Sequence, residues 1–471
     1  MKVLLISPPN IQMLQTNVPR VVDHETGIYP TLGLLYIASA VLKFTHHKIE
    51  IIDAKLANLD NAKIELEIKK RMPDLVGIPA TTFTIIDALT IAKSAKDVSA
   101  NIIVCLGGPH PTMYPEETLD ADYIDYLVLR EGEYTFCNLL NALESKTDLS
   151  HVRGIAYKSN HKIITTAFND FIENLDDLPH PARHLTPYRR YYSLLARYLP
   201  ITTMITSRGC PYQCSFCHRP HLGRKFRCRS AKNVVDEMEE CAAMGIKEFF
   251  IYDDTFTIDK NRTINICNEI IQRRLHIHWD IRTRVDTINE NMLLNLKKAG
   301  CERIHYGVEA GTNEILKEYR KDISLKLVKK TFALTKKHKL TTLAYFMLGA
   351  PNETSTQIKK TIAFAKKLNP DYCHFSLTTP FPKTPLYAYC LKSGIFEQDF
   401  WQQFALSPTP VFKPRLCCHN IPAAELKKFL NLAYKTFYLR PGYIIKKIFH
   451  IRTFSELFRK IKAGINLFWL K

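Results

Sequence analysis

The stretch TSRGCPYQCSFCHRP, residues 206–220, sets Cys210, Cys214 and Cys217 on a CxxxCxxC spacing with His218 directly behind. Three thiols so close together are a ligand set, and what they hold decides the class of the chain. The flanking residues narrow the choice. ITTMITS (201–207) runs into the loop as a short strand, and five more follow: EFFIYDD (248–254), HWDIRTRVD (278–286), RIHYGVEA (303–310), TTLAYFMLGA (341–350) and YCHFSLTTP (372–380). Between them lie SAKNVVDEMEECAAMG, NRTINICNEIIQRRL, NENMLLNLKKAG, LKLVKKTFALTKKHK and TSTQIKKTIAFAKKL, all helical in pattern. Six β/α units in about 180 residues make three-quarters of an eight-unit barrel, whose functional residues sit at the carboxyl ends of the strands. The cysteine loop follows the first strand.

Upstream, a second alternation fills the first 170 residues. KVLLIS (2–7), KIEIIDA (48–54), DLVGIPA (74–80) and NIIVCLGG (101–108) read as short buried strands, with amphipathic helices between. This predicts a doubly wound parallel sheet. Ligands of such sheets bind at the carboxyl strand ends, here SPPN, PATT, GGPHPT and REGE. Residues 171–200, rich in Pro and Arg, read as a linker. The expected organisation is α/β: a doubly wound domain over 1–170, the linker, a (β/α)6 partial TIM barrel over 201–395, and a helical extension over 396–471.

Bulk properties agree. The 471 residues are 46% hydrophobic and 24% charged, a globular composition too long for one ordinary core. The opening MKVLLISPPN has too short an apolar run for a signal peptide, and no stretch approaches the roughly 20 residues that cross a bilayer. A cytoplasmic protein is expected, with a peripheral place at the inner membrane face as the sharper alternative. Most of the thirteen cysteines are isolated in apolar runs, as small buried hydrophobes would be, and the adjacent Cys417 and Cys418 read as packing residues. The net charge of +19 is uneven, since residues 421–471 carry eleven Lys or Arg against Glu425 and Glu456. The tail places Ile444, Ile448, Ile451, Phe454, Phe458, Ile461, Ile465 and Phe468 on one face of a basic helix. That helix would either lie on a membrane surface or dock on the barrel.

Three close thiolates suit a metal centre that accepts three protein ligands. Structural zinc wants four, and His221 is the better candidate for a fourth than His218. Iron–sulfur clusters prefer thiolates throughout, and a cubane held by three leaves one iron open to bind an amino and a carboxylate group.

At this point the chain resembles the radical S-adenosylmethionine (radical SAM) superfamily, whose signature is CxxxCxxC after the first strand of a six-unit partial barrel. Phe216, the aromatic before the last cysteine, is typical of it. The resemblance implies that Cys210, Cys214 and Cys217 bind a 4Fe–4S cluster, whose unique iron chelates S-adenosylmethionine. IYDDTFT (251–257) resembles the segment whose acid, Asp253 or Asp254, meets the amino group of that cofactor. RTRVD (282–286), with Arg284, and YGVEAG (306–311), with Glu309, resemble the next strand ends. YFMLGAPNET (345–354) is similar to a glycine motif that packs on adenine, placing Gly349 there, and TTPFPKTPLY (378–387) matches the sixth strand end. In the N-terminal half, GIYPTLGLLYIASAVL (27–42) and GGPHPTMYPEETLDADYIDYLVLREGE (107–133) are similar to the cobalamin-binding domain of the branch that includes anaerobic magnesium-protoporphyrin monomethyl ester cyclase, hopanoid-modifying enzymes and many methyltransferases. Gly107, Gly108 and His110 fall at that cofactor's expected edge. VDHETG (22–27) lacks the DxHxxG spacing of a lower axial ligand.

The resemblance implies reductive cleavage of S-adenosylmethionine to a 5′-deoxyadenosyl radical, used with cobalamin for C-methylation or for oxidative modification of a hydrophobic biosynthetic small molecule. A low-potential donor such as flavodoxin or ferredoxin would supply the electron. Plainer readings stand beside each residue: a capped turn for Asp253 and Asp254, a rim ion pair with Arg303 or Arg284 for Glu309, turn geometry for Gly107 and Gly108, and a solvated face for Arg208, Arg219, Arg224, Arg227 and Arg229. The alternatives for the whole are a radical enzyme whose first domain binds substrate instead of cobalamin, and a metal-containing nucleic-acid-binding protein. No nucleic-acid recognition motif supports the last.

Overall fold

The structure, a computed structural model, describes residues 1–15 and 27–448. Runs of Val, Ile and Leu form the first sheet: β1 (Lys2–Ser7), β2 (Lys48–Asp53), β3 (Leu75–Pro79), β4 (Ile103–Gly107), β5 (Tyr126–Val128), β6 (Ile155–Ser159) and β7 (Lys162–Thr165). Their order is β2-β1-β3-β4-β5-β6-β7. The first five are parallel, while β6 and β7 add antiparallel strands at one edge. Helices Leu32–Phe44 and Glu133–Ser145 cover one face, and Asn61–Arg71 and Ile85–Val98 the other. Burial on both faces is why the parallel strands are almost wholly apolar. The winding reverses between β1 and β3, so the crevice of this sheet opens at their carboxyl ends. The β6–β7 hairpin was not among the expected elements; β7 is exposed along its length and carries no apolar alternation to detect.

The second sheet is β8 (Ile201–Met204), β9 (Glu248–Ile251), β10 (His278–Thr283), β11 (Cys301–Glu309), β12 (Thr341–Leu348) and β13 (Tyr372–Leu377), parallel and in chain order. Five of the intervening helices start at Ser230, Asp259, Asn289, Ser324 and Thr354, each accepting a backbone N–H three residues on. Each such cap contributes about 1 kcal/mol. Burial alternates along β12 and β13. Ala344, Phe346, Leu348, Phe375 and Leu377 are buried under the helices, while Tyr345, Met347, His374 and Ser376 on the inner face stay partly exposed. The barrel therefore encloses an accessible lumen.

Its open edge is covered. From helix Ala423–Tyr438, the Tyr434 hydroxyl donates to Phe375 O at 2.8 Å and accepts from Phe375 N–H at 3.1 Å. Tyr438 does the same for Cys373 at 2.6 and 2.9 Å. Two tyrosines one turn apart thus satisfy the backbone of an edge strand that would otherwise be left unpaired.

Segment 171–200 is a packed strap rather than a free linker. Arg183 donates to Thr202 Oγ1 at 2.8 Å, Thr203 O at 2.9 Å and Glu237 Oε1 at 2.5 Å, and the Tyr191 hydroxyl donates to Asp53 at 2.9 Å. Residues 386–417 pack into the core of the first sheet through Leu386, Phe400, Trp401 and Phe404. Among the described residues no helix is long and apolar enough to cross a membrane. Most of VDHETG and of the basic amphipathic tail, residues 22–26 and 449–471, lie outside the described residues.

Candidate functional site

The cysteine loop leaves β8 and crosses the mouth of the barrel. Gly209 lets it turn: its φ is +81°, and a Cβ there would lie 2.1 Å from Lys225 O. The loop is pinned where Ser215 N–H donates to Tyr319 O at 2.9 Å, Ser215 Oγ to Glu318 O at 3.2 Å and Leu386 N–H to Ser215 O at 2.7 Å. Phe216 packs edge-on against Tyr319 at 5.4 Å. Cys210, Cys214 and Cys217 are partly exposed, whereas every other cysteine except Cys228 is buried. Burial pushes the Cys214 and Cys217 thiols up, opposed by Lys321 and Arg284 at the first and by Arg219 at the second.

The spread of the loop bears on the metal. Sulfurs around one tetrahedral zinc, at about 2.3 Å from it, lie within about 4 Å of each other. Among the described residues, the group of three candidate ligand atoms within 4.8 Å of one another is His46, His47 and Glu144, not the cysteines. Wider thiol spacing suits a cluster in which each sulfur binds a different iron. His218 is exposed, and His221 keeps a buried Nδ1 without a partner.

The two adjacent acids divide. Asp253 is 1% exposed and its carboxylate accepts from Thr206 N–H, Thr206 Oγ1 and Ser207 Oγ, each at 2.6 Å. It locks the strand end before the cysteine loop. Asp254 pairs with Arg219 at 2.6 Å through Oδ1, and its buried Oδ2 has no partner among the described residues. Burial pushes its carboxyl up to about 6, with Arg219 opposing.

Arg284 reaches the loop directly. Its Nη1 donates to Cys214 Sγ at 3.7 Å and its guanidinium lies 3.8 Å over the Tyr212 ring. Asp286, at 2.9 and 2.8 Å, and Lys321 O, at 2.6 Å, hold it in place. Glu309 ends β11 at a φ of +69° and pairs with Lys321 Nζ at 2.7 Å, not with the expected Arg303 or Arg284. Arg303 is turned inward onto Asp280 at 3.1 Å. Gly307 makes room for the pair, since a Cβ there would lie 2.3 Å from Glu309 Oε1.

Two of the expected cofactor residues, Gly349 and His110, are buried. Gly349 is buried at a φ of +89°, with the space for a Cβ filled by Leu426, and its N–H donates to Glu353 Oε2 at 2.6 Å. It shapes a turn. His110 is 0% exposed; its Nδ1 lies 3.2 Å from Thr82 Oγ1, and its Nε2 is buried without a partner. Burial pushes it down to about 3, so the ring is neutral and sealed beneath the β4 loop. Gly107 and Gly108 remain partly exposed at that strand end. Gly108, at φ +111°, is required by the turn because a Cβ would meet Ala80 O at 2.9 Å.

Of the arginines flanking the loop, Arg208, Arg227 and Arg229 are buried and paired, while Arg224 is exposed. Arg208 and Arg227 bind Glu131 at 2.8 and 2.9 Å, and Arg208 also binds Glu133 at 2.5 Å. Arg229 pairs with Glu237. Glu131, Glu133, Lys321, Tyr212 and Glu353 escaped the sequence reading. The first two stand in the quoted REGE strand end, but nothing local says which cation they meet.

Comparison with known proteins agrees with this arrangement. The Radical SAM superfamily model matches residues 204–365, and the B12 binding domain model matches residues 20–140. An uncharacterized methyltransferase of Pyrococcus horikoshii is 37% identical over 100% of this chain and 99% of its own. The anaerobic magnesium-protoporphyrin IX monomethyl ester cyclase of Rubrivivax gelatinosus is 30% identical over 89% of this chain and 75% of its own. Among solved structures, the radical S-adenosylmethionine methyltransferase TsrM of Kitasatospora setae, with cobalamin and a [4Fe–4S] cluster bound, superposes with a TM-score of 0.69 at 20% identity, over 83% of this chain and 78% of that one. The cobalamin-dependent radical enzyme OxsB also gives 0.69, at 17% identity, over 99% and 72%.

Proposed function

The chain belongs to the cobalamin-binding radical SAM enzymes, and from that premise we propose that it methylates an unactivated carbon of a small biosynthetic molecule. The carrying observation is the partly exposed cysteine loop at the carboxyl end of β8 beside the unpaired Oδ2 of Asp254. Cys210, Cys214 and Cys217 would hold a 4Fe–4S cluster, and Asp254, rather than Asp253, would accept the amino group of S-adenosylmethionine. Cluster and cobalamin together supply reductive cleavage of S-adenosylmethionine and methyl transfer when bound. The protein's own part is to hold and shield. Arg284 steadies the Cys214 thiolate, and the Glu309–Lys321 pair closes the adjoining strand end. The first sheet covers the barrel mouth through Arg208, Arg227 and their glutamates, which keeps water from a reactive radical.

The full-length match to a methyltransferase supports methylation; the cyclase match supports oxidative ring formation as the second reading. Aromatic rings in the lumen, Tyr252 and Tyr345 among them, suit a largely hydrophobic substrate. A flavodoxin or ferredoxin would serve as reductant. The exposed Ile444 and Ile445 favour contact of the basic tail with a membrane surface, which co-sedimentation with anionic vesicles would test.

Anaerobic reconstitution with iron and sulfide tests the main reading. It should give a brown protein near four irons per chain that retains hydroxocobalamin and forms 5′-deoxyadenosine, and loses cluster and product together on replacing any of the three cysteines by alanine. Asp254→Asn should weaken S-adenosylmethionine binding. A colourless protein with one zinc overturns the proposal.

A further inference from the structure

Among the described residues, Arg282 on the inner face of the barrel forms no salt bridge or side-chain hydrogen bond, although the charges of Asp280 and Asp254 act on it. The guanidinium of Arg282, on the inner face of β10, lies 3.9 Å over the Tyr252 ring and is partly exposed. Its neighbours are all paired with carboxylates: Arg284 with Asp286 at 2.8 Å, Arg303 with Asp280 at 3.1 Å and Arg219 with Asp254 at 2.6 Å. Among the described residues Arg282 donates to no carboxylate, carbonyl or hydroxyl. Asp280 lies near enough to act on Arg282 through its charge, but its Oδ2 is engaged by Arg303 and, at 3.1 Å, by His305 Nε2.

An unpaired guanidinium in a lumen is costly, and stacking on an aromatic face offsets part of that cost. Stacking uses the face of the guanidinium and leaves its in-plane N–H fork free, the geometry that grips two oxygens of a carboxylate or phosphate. The surroundings fit a planar ligand attached to such an anion. Tyr345 stands across on β12 with its hydroxyl hydrogen-bonded to His305 Nδ1 at 2.9 Å, and the His374 ring lies 5.6 Å from that of Tyr345. By strand register Arg282 lies opposite His305, while Tyr345 and His374 pair two residues further along, opposite Gly307.

We propose that Arg282 anchors an anionic group of the substrate, a carboxylate or phosphate, while an aromatic or conjugated body lies against Tyr252 and Tyr345. This rests on the reading of the lumen as the substrate site of a radical SAM enzyme and adds a charge requirement to a substrate otherwise expected to be hydrophobic. The anion belongs to the substrate, not to the carboxylate of S-adenosylmethionine, and the two are separable.

Reconstituted full-length protein saturated with S-adenosylmethionine is titrated calorimetrically with 3-phenylpropionate, phenyl phosphate and the neutral 3-phenylpropanamide. The anions should bind wild type at least about tenfold more tightly than the amide, a difference that Arg282→Gln abolishes and Arg282→Lys partly restores. Equal binding of all three probes, or of the anions by wild type and R282Q, overturns the proposal. So does a loss of S-adenosylmethionine affinity in R282Q matching the loss of probe affinity, measured by equilibrium dialysis. Failure of wild type to form 5′-deoxyadenosine would instead strike the enzymatic reading and leave the anion result to be judged by itself. R282K with a native dichroism spectrum controls for misfolding.

Discussion

Arg208, two residues before Cys210, donates to Glu131 Oε1 at 2.8 Å and so ties the cysteine loop to the carboxyl end of β5 in the first sheet. Glu131 also takes Arg227, and Arg208 also takes Glu133, all nearly inaccessible to water. Removing one member of a buried pair strands the other charge at about 3–5 kcal/mol. Glu131→Gln should therefore lower the thermal midpoint measured by dichroism and weaken retention of added hydroxocobalamin, because the same contact sets the first sheet on the barrel. Unchanged retention in a destabilised E131Q would show that the network serves stability alone.

Arg284 places a positive N–H donor on the Cys214 sulfur. Donors to cluster thiolates favour the reduced, more negative state. Arg284→Met should shift the midpoint potential of the reconstituted cluster to a more negative value, read by redox titration. A midpoint equal to wild type would remove Arg284 from the tuning of the cluster.

His110 is fully buried beneath the β4 loop, so it should not reach cobalt as a ligand. Electron paramagnetic resonance of cob(II)alamin-loaded protein should lack nitrogen superhyperfine splitting on its high-field lines. His110→Phe should keep the visible corrin spectrum of wild type. A nitrogen splitting that H110F abolishes would reverse this assignment.

Two buried glutamates give opposite pH dependence. Glu237 would be pushed up by burial, yet Arg229 and Arg183 hold it down to about 2. A depressed carboxylate stabilises above its unfolded value of about 4.5, and that contribution, about 3 kcal/mol, is lost as pH falls from there toward 2. Glu353 is pushed up to about 7 by burial, against the Ala350 and Gly349 N–H groups that favour its ionised form. A raised carboxyl works against the fold once ionised, so the penalty grows between about pH 4.5 and 7 and stays in full above. Glu353→Gln keeps an oxygen for those N–H groups and should raise the thermal midpoint relative to wild type at pH 8 more than at pH 5. An equal shift at both pH values would contradict this.

Tyr434 and Tyr438 close the β13 edge with hydroxyls that both donate and accept. Each Tyr→Phe change leaves a backbone N–H and C=O unpaired, at a cost of about 1–3 kcal/mol. Hydrogen exchange at Phe375 should quicken in Tyr434→Phe and at Cys373 in Tyr438→Phe, each without affecting the other.

The strands of both sheets and the cysteine spacing were legible in the sequence because they are local: an apolar run of strand length, a helical period, three thiols in eight residues. These alone determined the two α/β units and the place of the loop after β8, and through resemblance they pointed to the family. Residue roles were less legible. Asp253 and Asp254 look equivalent in the sequence, yet one is consumed by Thr206 and Ser207 and the other keeps a bare oxygen. Glu309 meets Lys321 rather than Arg303, Gly349 serves a turn, and Arg208 and Arg227 meet Glu131 beyond a strand end of the first sheet. That Arg282 has no salt bridge among the described residues is visible only when the partners of every neighbouring arginine are known. Periodicity is a property of a few adjacent residues, whereas the state of a charge depends on which atoms the fold brings within about 3 Å of it. The chain's chemistry was written in its cysteines; which side chains remain free to take part was decided by packing.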